Sequence, residues 1–98
     1  MARRIEFSSA ALSDLDEIAY FGAMEFGMSA ARRYVQALDD GLKLLLAFPD
    51  SAPAYAWSGT RVRIRSIRSH RIVYMVQPGN SLRVLRILHA RQLPPELA

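Results

Sequence analysis

The chain has 98 residues, 51% hydrophobic and 22% charged, with a formal net charge of +4 and no cysteine. That length supports a single domain spanning residues 1–98 and burying roughly 60–65% of the surface its unfolded form exposes. The composition excludes disorder for the bulk of the chain, and the missing cysteines exclude a disulfide framework and any thiolate zinc site.

The charge is unevenly distributed. Residues 1–50 hold five basic residues against eight acids, whereas residues 51–98 hold eight arginines and one acid, Glu96. Arginine is permanently charged and carries a planar fork suited to phosphates and carboxylates. The longest apolar runs, such as 44–48 and 72–76, are too short to span a bilayer, and Arg3 and Arg4 precede no signal-peptide core. The expectation is a soluble cytoplasmic domain that does not engage a membrane.

Residues 2–7 alternate, with Ile5 and Phe7 on one side, and predict a short strand. Ser8 or Ser9 offers a helix N-cap, after which Leu12, Leu15, Ile18, Ala19, Gly22 and Phe26 recur at helical spacing. Gly27 ends that helix and Ser29 can cap the next. Ala31, Tyr34, Val35, Leu38, Leu42, Leu45 and Leu46 line one apolar face of the second helix, and Pro49 stops it. Only about two residues separate the helices, which predicts an antiparallel hairpin over about 9–48.

Residues 50–59 read as loop. Residues 61–65 alternate arginine with Val62 and Ile64, so Arg61, Arg63 and Arg65 share one face and the two apolar residues are expected to face the helices. Residues 71–77 and 82–88 read as strands joined by a type II turn built on Pro78 and Gly79. The order is β-α-α-β-β-β, an α+β fold in which the hairpin packs on a small, mostly antiparallel sheet at about 61–89.

The arginines Arg61, Arg63, Arg65, Arg71 and Arg86 are thereby expected on the sheet face opposite the hairpin, as a surface for an anionic partner. Arg86 interrupts an apolar run, which is costly unless it opens onto a solvated functional face or meets a carboxylate. His70 reads as an exposed turn residue, and His89 closes the last strand. Two histidines without a neighbouring carboxylate make no metal site, and no cofactor motif is present. Tyr20, Phe21 and Met24 fall outside the stripe of the first helix and predict an exposed apolar patch.

Ile5-Glu6-Phe7-Ser8-Ser9-Ala10-Ala11, Asp14-Leu15-Asp16-Glu17-Ile18, Phe26-Gly27, Phe48-Pro49, His70-Arg71-Ile72-Val73-Tyr74 and Val84-Leu85-Arg86-Ile87-Leu88-His89-Ala90-Arg91 occur in this order. Together they resemble the RelE/ParE superfamily of bacterial toxins, closer to the ParE branch. The resemblance implies the toxin of a type II toxin–antitoxin pair, neutralised by a cognate antitoxin in a hetero-oligomeric complex. ParE-like members inhibit DNA gyrase by binding; RelE-like members cut mRNA on the ribosome.

For cleavage, Arg71 and His89 match positions that nuclease members use. Residues 51–95, however, contain no glutamate, aspartate or lysine to complete the acid–base set, and Tyr74 reads as core. The ParE-like reading is therefore preferred, with mRNA cleavage as the alternative. Candidate target-binding residues are Arg61, Arg63, Arg65, Arg71, Arg86, His89 and Arg91. Candidate antitoxin-binding residues are Tyr20, Phe21 and Met24. A basic nucleic-acid-binding module is a third reading, resting on charge alone.

Overall fold

The computed structural model describes residues 3–92. A short strand, β1 (Ile5–Phe7), leads into helices α1 (Ser9–Phe26) and α2 (Met28–Ala47). Four strands follow: β2 (Ala54–Trp57), β3 (Thr60–Ile67), β4 (His70–Val76) and β5 (Leu82–His89). They form one sheet in the order β1-β5-β4-β3-β2, antiparallel except where β1 runs parallel to β5. The class is α+β, with both helices on one side of the sheet.

Ser8 is the N-cap of α1. Its hydroxyl accepts the Ala11 N–H at 3.0 Å and donates to the Leu85 carbonyl at 2.6 Å, so the cap also ties the helix start to β5. Gly27, at φ 90°, is the only residue between the helices. This left-handed backbone reverses the chain in a single step. Ser29, expected as the second cap, therefore lies inside α2, and Gly27 takes the N-cap position without a side-chain bond.

The main core lies between the helices and the sheet. Leu42 and Leu45 of α2 and Ala11 of α1 meet Ile72 and Tyr74 of β4 and Leu82, Val84 and Ile87 of β5, all buried. Leu15 and Ile18 pack against this cluster as expected, but Leu12 and Phe26 are 51% and 72% exposed. The reason is that α1 buries small residues, with Ala11 on β5 and Gly22 against Ala31 of α2. The buried stripe is therefore rotated from the one its large side chains suggest.

Two further expectations are corrected. Residues 54–57, within the segment read as loop, form β2. Its turn to β3 places Ser58 at φ 51° and Gly59 at φ 75°, the paired left-handed geometry of a two-residue hairpin loop.

Arg63 lies opposite Tyr74 and Arg65 opposite Ile72, so the arginines of β3 lie on the helix side. Val62 and Ile64 face away from the helices and pack with Val73, Leu88, Trp57, Met75 and Leu85 in a second cluster. The helix-side positions of β3 meet the chain leaving α2, where carbonyl groups collect. Arg63 donates to the Ala52 carbonyl at 2.5 Å and pairs with the Asp50 carboxylate at 3.3 Å. Arg65 donates to the Ser51 carbonyl at 2.9 Å. Tyr74, fully buried, donates its hydroxyl to the Pro49 carbonyl at 2.7 Å, and burial raises its phenol pKa.

The β4–β5 turn is of type II. Gly79 sits at φ 82° and ψ 8°, and the Asn80 N–H donates to the Gln77 carbonyl at 2.9 Å. Further along this hairpin the register slips: Tyr74 faces Val84, but Val73 faces Arg86, leaving Leu85 as the extra residue of a β-bulge.

Candidate functional site

The bulge shapes the site. Beyond it, Arg86 reaches α1, where Asp14 holds its guanidinium through two bonds, Nε to Oδ2 at 2.9 Å and Nη2 to Oδ1 at 3.0 Å. Asp14 Oδ2 also accepts the Ile87 N–H at 2.8 Å, a backbone donor turned toward a side chain at the irregularity. Arg86 thus meets a carboxylate, and that partner raises its pKa. This paired geometry is the strong form of a charge-assisted bond.

Beside this pair a cleft of about 830 Å³ runs between α1, the first turns of α2 and the far end of the β4–β5 hairpin. Tyr20, Phe21, Phe26 and Ile18 supply its apolar wall, and Asp14, Glu17, Tyr34, His70, Arg86 and His89 its polar one.

His70 and His89 face each other in register on adjacent strands, with ring centroids 5.3 Å apart in an edge-to-face arrangement. Tyr34 places its hydroxyl 2.6 Å from His70 Nδ1. That oxygen also accepts the Ser69 N–H at 3.1 Å, so Tyr34 ties His70 to the β3–β4 turn. Burial, reinforced by His89 and opposed by Asp14, lowers the His70 pKa. His89 Nδ1 accepts the Arg91 N–H at 3.1 Å, and its Nε2 has no hydrogen-bond partner among the described residues.

The expected single arginine face does not form. Arg63 and Arg65 hold the 50–52 segment, Arg86 lies in the cleft, and Arg61 is exposed beside β2. Arg71 sits on the far side of the sheet opposite Leu88, while Arg91 follows β5 and is exposed. Arg71 and His89, the pair a nuclease reading needs, are consequently on opposite faces, since His89 shares the helix side with His70.

The expected apolar patch is present: Tyr20, Phe21 and Met24 are 70%, 61% and 69% exposed. Tyr20 and Phe21 line the cleft, and Met24 lies one turn further along α1. The sequence reading missed His70 and Tyr34 as partners, and it missed Asp14 and Glu17 as acids of the site because it sought them only in the second half. Among the described residues, no group of three or more histidine and acidic side chains is placed to hold a metal ion, and no helix is long and apolar enough to cross a membrane.

The sequence model for the ParE toxin of the type II toxin–antitoxin system parDE matches residues 5–94. A solved structure described as the chromosomal ParDE TA system from P. aeruginosa superposes with a TM-score of 0.73 at 22% identity, covering 89% of this chain and 95% of that one. No curated protein sequence matches the chain.

Proposed function

We propose that this chain, which belongs to the ParE toxin family of type II toxin–antitoxin systems, inhibits DNA gyrase by binding it and is held inactive by a cognate antitoxin. The observation that carries binding over chemistry is the separation of Arg71 from His89 by the thickness of the sheet. Cleavage of RNA through its 2′-hydroxyl requires a cation at the phosphorus and a proton-transfer group within reach of one phosphate. Arg86 lines the cleft together with His89, and its guanidinium is bonded to Asp14, which offsets its charge.

The antitoxin reading rests on the aromatic wall of the cleft. Exposed Tyr20, Phe21 and Phe26 offer apolar anchors, with Met24 beside them. An amphipathic tail laid along α1 buries them, while its charged residues set the association rate. In this reading the toxin acts in the cytoplasm, where its target works, and uses no cofactor.

One observation favours the alternative, ribosome-dependent mRNA cleavage: the cleft gathers His70, His89, Glu17 and Tyr34, a proton-transfer set drawn from both halves of the chain. Brief expression without antitoxin separates the two readings. Gyrase inhibition predicts relaxed plasmid with unchanged mRNA 5′ ends. New 5′ ends on plasmid that stays supercoiled would overturn it.

A further inference from the structure

The outer edge of the sheet, at β2, lies apart from the cleft. Edge strands in soluble proteins are guarded against pairing by shortness, charges, prolines or bulges, and of these β2 has only its four-residue length. β2 reads Ala54-Tyr55-Ala56-Trp57, with no charge, no interior proline and no register slip against β3.

The two-residue turn at Ser58-Gly59 determines which backbone groups are free. In such a hairpin the residues flanking the turn, Trp57 and Thr60, exchange hydrogen bonds, and the pattern then alternates outward. Tyr55 opposite Val62 is therefore a bonded pair, as is Pro53 with Ile64, whose N–H donates to the Pro53 carbonyl at 3.2 Å. Ala54 and Ala56 are the non-bonded positions, so their N–H and C=O groups point to the open edge. Two donors and two acceptors stand there in strand geometry.

The side chains around this edge state what would fit. On the helix side β2 contributes only the methyl groups of Ala54 and Ala56, opposite Arg63 and Arg61. Arg61 is exposed and has no acidic partner among the described residues. An added strand would lie about 10 Å from β3, two strand spacings, with nothing taller than a methyl group between its acidic residues and that guanidinium. On the other side Tyr55 is 40% exposed and Trp57 partly so, an aromatic rail for apolar side chains.

We infer that β2 is a docking edge for an extended protein segment that alternates acidic and apolar residues, added as a sixth strand with its acids toward Arg61 and its apolar residues on Tyr55 and Trp57. A second copy of this chain is the poorer occupant. Pairing β2 with β2 about a two-fold axis would put both rows of Arg61, Arg63 and Arg65 on one face of a continuous sheet, and like charges there repel. The inference goes beyond gyrase inhibition and does not depend on it.

The test uses the full chain and a capped Val-Glu-Val-Glu-Val-Glu peptide, with Val-Lys-Val-Lys-Val-Lys as its counterpart. Amide exchange of Ala54 and Ala56 is expected to slow at least tenfold with the acidic peptide, while Tyr55 and Trp57, already bonded, stay unchanged. Ala56→Pro removes only an outward N–H, which an edge strand tolerates, and should weaken binding at least tenfold. Arg61→Glu should reverse the preference to the lysine peptide. Equal binding of both peptides, or unprotected Ala54 and Ala56 amides in the saturated complex, overturns the inference, and the exchange measurement decides the matter even if Ala56→Pro does not fold. Protection of those amides without peptide, rising with protein concentration, would instead assign the edge to a second copy.

Discussion

Asp14 serves three donors at once, two on Arg86 and the backbone N–H of Ile87. The backbone donor matters most for stability, because Ile87 is buried and its N–H is left without an acceptor when the carboxylate is removed. The ion pair adds less, since Arg86 is more than a third exposed. Asp14→Ala is therefore expected to lower unfolding free energy by about 1–3 kcal/mol in urea titrations. Asp14→Asn should cost less, because its amide oxygen still reaches Ile87.

His70 gives a pH dependence of definite sign. Its pKa is lowered below the ordinary 6.5, so between the folded and unfolded values the unfolded chain binds more protons. The stability it contributes is complete above the unfolded value and is lost as the pH falls through that window. The urea midpoint should drop on going from about pH 7.5 to about pH 5.5, and His70→Gln should shrink that drop. An undiminished drop in His70→Gln would assign the effect to another group.

At the scale of elements, α1 carries the proposed antitoxin surface. Phe21 projects from α1 at 61% exposure, so Phe21→Asp should fold normally. It should speed dissociation from the antitoxin more than tenfold, about 1.4 kcal/mol if association is unchanged. Unaltered dissociation would place the anchor elsewhere. Arg63, expected to steer a partner, instead holds the Ala52 carbonyl, so Arg63→Ala should lower the melting temperature and leave the salt dependence of association as it was.

The elements differed in how far their sequences revealed them. The apolar period of α2 and the Pro78-Gly79 turn are strong local signals, and both appear where expected. β2 was hidden because Ala54 and Ala56 give no apolar alternation. The histidine pair was hidden by one residue. Counting outward from the turn in even register puts His70 opposite Leu88, and only the bulge at Leu85 shifts it to His89. Bulge positions depend on tertiary fit to α1, which no local pattern encodes.

At the scale of the whole molecule, half of the eight arginines in residues 51–98 are engaged internally. Arg63, Arg65 and Arg86 satisfy carbonyls and Asp14, Arg83 pairs with Glu6, and Arg61 and Arg71 lie on opposite faces of the sheet. A dispersed set offers no continuous track for a phosphate backbone, which counts against a general nucleic-acid-binding module. What remains is a cleft with an aromatic wall on the helix side and a separate open edge at β2, two surfaces suited to protein partners. The measurement that bears most directly on this account is supercoiling by purified gyrase during titration with the isolated chain. The account predicts that supercoiling falls as the chain is added and recovers when the cognate antitoxin follows. Full supercoiling at micromolar concentrations of correctly folded chain would contradict it.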